Sequence, residues 1–163
     1  MTLDTAPGEV TERGGYTTFR GGKYDSERHP NDTNKLVRAD VKAAVKAGLL
    51  PTNVKRYAVT RSDGSWSSIV VSVVTEGDPD KWAVVKHSGW VDGLYEPMTW
   101  TPEAKQAGHV LYALAEQYVK HTTDIMTDYF AGGYVHVYVT DAKYGVGGGL
   151  CLPRFSEREV KES

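Results

Sequence analysis

The run Asn34-Lys-Leu-Val-Arg-Ala-Asp-Val-Lys-Ala-Ala-Val-Lys-Ala-Gly-Leu-Leu-Pro51 carries two interleaved periodicities. Val37, Val41, Ala44 and Val45 recur at the three-and-four spacing that puts them on one side of an α-helix. Lys35, Arg38, Lys42 and Lys46 follow the same spacing on the opposite side. Asn31, Asp32 or Thr33 can supply the N-cap oxygen. Gly48 suits the left-handed residue beyond the last turn, and Pro51 prevents resumption. A hairpin follows. Tyr57 to Thr60 and Ile69 to Val74 are rich in β-branched residues, and Ser62-Asp63-Gly64-Ser65 lies between them as the turn. Ile69 to Val74 is apolar on both faces except at Ser72, which predicts a central strand covered by helix on at least one face.

Further along, Thr101-Pro102-Glu103 reads as an N-cap followed by proline at the first helical position. Ala104, Ala107, Leu111, Leu114, Ala115 and Tyr118 form the apolar stripe of a second helix running to about His121. Asp124 to Phe130 reads as a linker. Tyr134 to Thr140 alternates as a strand, with Val135, Val137 and Val139 toward the core and Tyr134, His136 and Tyr138 on the other face. Between Lys81 and Trp100, Trp82 to Val85 suits a short strand or helical turn, and the rest suits a packed aromatic loop. Gly145 to Gly149 reads as a loose turn. It lacks the Lys-Ser/Thr of a phosphate loop.

This order of elements predicts an α+β fold: a two-layer sandwich with a small, mostly antiparallel sheet and two helices packed on one face. Residues 1–30 read as a flexible N-terminal segment, with Tyr16 to Tyr24 laid on the surface or forming an edge strand. Residues 31–155 read as a single domain and 156–163 as a charged tail.

The charge map is uneven. The chain of 163 residues has a formal net charge of −2, yet Lys35 to Arg61 holds seven basic residues against the single acid Asp40. The rest therefore carries a balance of −8. This predicts a positive face on an acidic body. The single cysteine, Cys151, excludes an internal disulfide and a multi-cysteine zinc site. It suits a reducing cytoplasm. No apolar run approaches the length of a membrane span, and the start of the chain has no secretory pattern.

Four segments resemble a known family. They are Lys35-Leu-Val-Arg-Ala-Asp-Val-Lys-Ala-Ala44, Lys55-Arg-Tyr-Ala-Val-Thr60, Ser67-Ser-Ile-Val-Val71, and Asp128-Tyr-Phe130 with Tyr134-Val-His-Val137. Together they resemble the large polyvalent protein-associated domain numbered 29 of actinobacterial phage and mobile-element proteins. The likeness covers roughly Thr17 to Thr140. It implies a small phage accessory protein acting in the host cytoplasm, including an anti-defence protein that binds a host factor. It supplies no catalytic residues.

The residues themselves show no nucleophile elbow, no HExxH and no metal-ligand spacing. His121 and Asp124 stand three apart with nothing to complete a site. The first expectation is accordingly a non-enzymatic protein without cofactor or metal. It would bind a host protein through Tyr134, His136 and Tyr138 with Trp66, or through the acidic connector at Asp124 and Asp128. The alternative is a nucleic-acid-binding accessory protein that uses Lys35, Arg38, Lys42, Lys46, Lys55, Arg56 and Arg61. A second copy of the chain could also cover the aromatic row, so a homodimer is compatible with the sequence.

Overall fold

In the computed structural model the described residues are 3–61, 68–75, 89–91, 94–96, 102–124, 129–141 and 147–150. In chain order the elements are β1 (Glu9–Arg13), β2 (Tyr16–Arg20), α1 (Pro30–Lys46), β3 (Arg56–Arg61), β4 (Ile69–Thr75), β5 (Gly89–Val91) and β6 (Leu94–Glu96). They continue with α2 (Pro102–Glu116), β7 (Lys120–Asp124), β8 (Tyr129–Gly132), β9 (Val135–Asp141) and β10 (Gly147–Leu150).

The fold is α+β. One four-stranded sheet has the order β10-β9-β4-β3, and α1 and α2 touch each other on its face, α1 over β3 and α2 over β9 and β4. β4 is interior, as its two-faced apolar pattern predicts. It pairs antiparallel with β3, Val59 opposite Val71, and parallel with β9, Val71 opposite Val137. A parallel pair needs a long crossover, and α2 lies within it. Val37, Val71 and Leu111 reach zero exposure where the two helices meet the sheet.

A second four-stranded sheet, β1-β2-β7-β8, is antiparallel throughout and was not expected. Residues 9–20, read from sequence as flexible chain with room for an edge strand, form a hairpin. Its inner strand β2 sits between β1 and β7 rather than at an edge. Gly14 and Gly15 take φ of 60° and 84°, the positive values that a two-residue hairpin turn requires. β1 has almost no buried residue, and in β2 only Phe19 is fully buried. Pairing with β7, not an apolar stripe, holds this hairpin, so no hydrophobic period announces it.

Helix boundaries also differ from the sequence reading. The N-cap of α1 is His29, whose Nδ1 accepts the Asn31 N–H, and Pro30 is the first helical residue. Past the last turn, Gly48 at φ 78° lets Leu49 N–H reach Ala44 O and Gly48 N–H reach Val45 O. This is a Schellman stop. α2 ends at Glu116, not near His121. Tyr118 and Val119 bond back three residues to Ala115 and Glu116, tightening the turn. His121, Thr122 and Thr123 then join β2 as strand.

Of the expected linker, Asp124 ends β7 and Tyr129 and Phe130 open β8, while residues 125–128 lie outside the described residues; Gly147–Leu150 of the glycine-rich segment forms edge strand β10. Within the aromatic stretch, Gly89–Val91 and Leu94–Glu96 pair as a small hairpin instead of a loop. The expected turn at Ser62 to Ser65 and the segment Trp82 to Val85 lie outside the described residues. Among the described residues no helix is long and apolar enough to cross a membrane.

Candidate functional site

α1 buries Asn34, Val37, Val41 and Ala44, which turns Lys35, Arg38, Lys42 and Lys46 outward together. At 100° per residue these four fall within about 80° of the helix circumference. Arg38 leans toward the sheet edge, where its Nη2 donates to Val59 O of β3 at 2.8 Å. That bond joins the helix stripe to the edge strand and uses an outward carbonyl that another chain could otherwise pair with. Lys55 and Arg56 are exposed at the start of the same strand. Arg61 closes it, and its side chain lies outside the described residues. Lys35 makes an exposed contact with Asp32 at 3.5 Å, a pair too open to neutralise it strongly.

The aromatic row is divided. Tyr134 precedes β9 and stacks on His121, with ring centroids 5.1 Å apart. Its hydroxyl and His121 Nδ1 are both shut off from solvent. His121 in turn lies 5.3 Å from the Phe19 ring, so Tyr134 belongs to the junction between the two sheets and not to a surface row. His136 and Tyr138 are exposed and stack at 6.4 Å. By register Tyr138 is level with Ser72 and Ala58, on the face turned away from the helices. Trp66 and Asp128 lie outside the described residues. His121 and Asp124 are three apart on strand β7, which puts them on opposite faces and separates them as ligands.

Nothing in the sequence pointed to the polar network around Tyr118. Its hydroxyl donates to Asp40 Oδ2 at 2.6 Å, and Lys23 Nζ reaches the same oxygen at 3.3 Å. Lys23 and Arg28 lie over the Tyr118 ring at 5.4 and 5.8 Å. The one acid of the basic segment thus faces the N-terminal chain and the end of α2, away from the lysine stripe. Burial pushes the Tyr118 phenol well above its usual range; the hydrogen bond and charge of Asp40 add to this and Arg28 opposes it. Burial raises Tyr57 to about 12, and its hydroxyl donates to Pro51 O at 2.6 Å.

Both phenols bind protons more tightly when folded than the ordinary value near 10. Their stabilising contribution is therefore intact below pH 10 and declines as pH rises through the folded values. Alkaline titration followed by far-UV circular dichroism should show stability falling from about pH 10 upward. The fall should be shallower in Tyr57→Phe. An unchanged profile in that variant would remove Tyr57 from the account.

No family model, no curated protein and no solved structure matches this chain.

Proposed function

We propose that the protein is a non-enzymatic binding protein whose working surface is the basic face of α1 with the adjoining start of β3, and that its ligand is nucleic acid. The single observation in support is the outward stripe of Lys35, Arg38, Lys42 and Lys46 on α1, tied to β3 by the Arg38–Val59 hydrogen bond, with Asp40 turned to the other side. An acidic body behind such a face orients it toward a polyanion and disfavours wrapping. A phage or mobile-element accessory role in the host cytoplasm is the setting suggested by the resemblance to the polyvalent-protein domain family. That setting belongs to the proposal and does not carry it.

A contact with about four phosphates implies that log K falls with log salt at a slope of about −3 to −4 on duplex DNA. Lys42 and Lys46 are exposed on α1, so reversing both to glutamate should leave stability within about 0.5 kcal/mol of wild type. Affinity should fall by more than about tenfold and the salt slope should shallow by about 2. Fluorescence anisotropy across a salt series reads both quantities. A salt-independent affinity, or one indifferent to the double reversal, would overturn the reading.

The stacked His136–Tyr138 pair on the helix-free sheet face favours a second reading, binding of a host protein. There Tyr138→Ala should abolish capture of a discrete protein from nuclease-treated host lysate, while the lysine reversals should not.

A further inference from the structure

β1 is an outer strand of the sheet β1-β2-β7-β8. The two-residue turn Gly14-Gly15 closes on a hydrogen-bonded pair, Arg13 and Tyr16. Alternation along the ladder then turns the backbone groups of Glu9, Thr11 and Arg13 toward β2, and those of Val10 and Glu12 outward. Among the described residues no hydrogen bond reaches these outward groups. The other sheet guards its edge, since Arg38 takes up the Val59 carbonyl of β3. β1 has no such guard. It contains no proline, and it pairs residue for residue with β2, so no bulge bends it away. Glu9, Thr11, Glu12 and Arg13 are all exposed.

Charged side chains ordinarily protect an open edge, because an incoming strand meets them unpaired. The charges of β1 suit one partner. Glu9 and Arg13 share a face and lie two positions to either side of Thr11. When two β1 strands run antiparallel with Thr11 opposite Thr11, each Glu9 stands opposite the other copy's Arg13. In that register Val10 and Glu12 meet as hydrogen-bonded pairs, so the outward groups of both strands are used, in about four bonds between the chains. The Thr11 pair and both Glu9–Arg13 pairs fall at the closer, non-hydrogen-bonded positions, where side chains interact most. Registers displaced by two residues lose this match. One sets Glu12 opposite Glu12; the other leaves Arg13 beyond the end of the opposing strand. Thr18, opposite Thr11 in the hairpin, shares a 2.9 Å hydroxyl contact with Thr122 of β7. A row of threonines thus runs to the free edge and continues across the two-fold axis.

We propose that the β1 edge is the seat of a second copy of this chain, the two β1 strands pairing antiparallel about Thr11 to join two four-stranded sheets into one. The proposal uses neither the lysine stripe of α1 nor the face bearing His136 and Tyr138, and it stands whether or not α1 binds nucleic acid.

Sedimentation velocity of the full chain from about 10 µM to about 1 mM tests it. The mass should rise from monomer toward dimer across that range, as suits an interface of one strand pair. Glu12→Pro removes an outward N–H and no bond to β2, so the hairpin should persist while the dimer weakens at least about tenfold. Arg13→Glu sets like charges opposite each other across the axis and should weaken the dimer at least about fivefold. Within the hairpin residue 13 faces the uncharged Tyr16, so this change adds no repulsion there. Amide shifts of β2 should match wild type in both variants. Cross-linking reads the register. The Cα atoms of a non-hydrogen-bonded pair are about 4.5 Å apart, within the span of a disulfide. With Cys151→Ser removing the native thiol, Thr11→Cys should give a covalent dimer under mild oxidation. Leu36→Cys, exposed on α1, should not. A chain that stays monomeric to about 1 mM overturns the proposal. So does a dimer indifferent to Glu12→Pro, or a Thr11→Cys chain that cross-links no faster than Leu36→Cys.

Discussion

Leu111→Ala should destabilise the protein by about 3 kcal/mol, within the 2–5 kcal/mol span of buried leucine truncations. Leu111 has zero exposure at the centre of α2, and it belongs to the same core as Val37 of α1 and Val71 of β4. Truncation removes three carbons from contact with both the other helix and the sheet. The lost transfer energy and the residual cavity act in the same direction. The neighbours cannot easily close the gap, since Val37 and Val71 are β-branched and hold one χ1 well each. For a chain of this length the melting temperature should drop by roughly 6–12 °C. Leu36→Ala, at an exposed position of α1, is the matched control and should cost under about 0.5 kcal/mol. Equal melting of the two variants would show that α2 does not pack on the sheet as described.

Gly21→Ala should cost about 3 kcal/mol, a large effect for a single methyl group. A Cβ at Gly21 would overlap the backbone carbonyls of Gln117 and Glu116. These atoms cannot move aside singly. Gly21 N–H donates to Val119 O and Lys23 N–H to Gln117 O, both at 2.8 Å. The Gln117 side chain is anchored as well, accepting from Ala6 N–H at 2.7 Å and donating to Leu114 O at 2.9 Å. The added carbon must therefore separate two segments and break hydrogen bonds across them. Gly14→Ala provides the contrast. No atom lies within 4 Å of a Cβ there, and the cost is only that of the positive φ, about 1 kcal/mol. Hydrogen exchange should show amides of β2 opening in Gly21→Ala while those of β4 stay protected. Protection throughout would mean that the N-terminal hairpin docks by some other contact.

What could be read along the chain is what local physics enforces. The two-sided pattern of Asn34 to Lys46 sets α1 and its outward lysines, because 3.6-residue periodicity turns spacing into faces. Gly48 marks the stop of α1, and the apolar run Ile69 to Val74 marks an interior strand, each through properties of the residues themselves. The α+β class follows from these elements and their order.

The remainder depends on partners distant in sequence. β1 and β2 have no buried stripe to betray them; they are strands because β7 pairs with β2 about a hundred residues later. Residues 117–121 continue an apolar helical stripe but leave the helix, since Gly21 and Lys23 offer their N–H groups to Val119 and Gln117. Tyr134 alternates with His136 and Tyr138 in sequence yet stacks on His121 from the other sheet. Periodicity encodes which side of an element faces the core. It does not encode which element lies across that core, because contact between distant residues is set by packing of the whole chain.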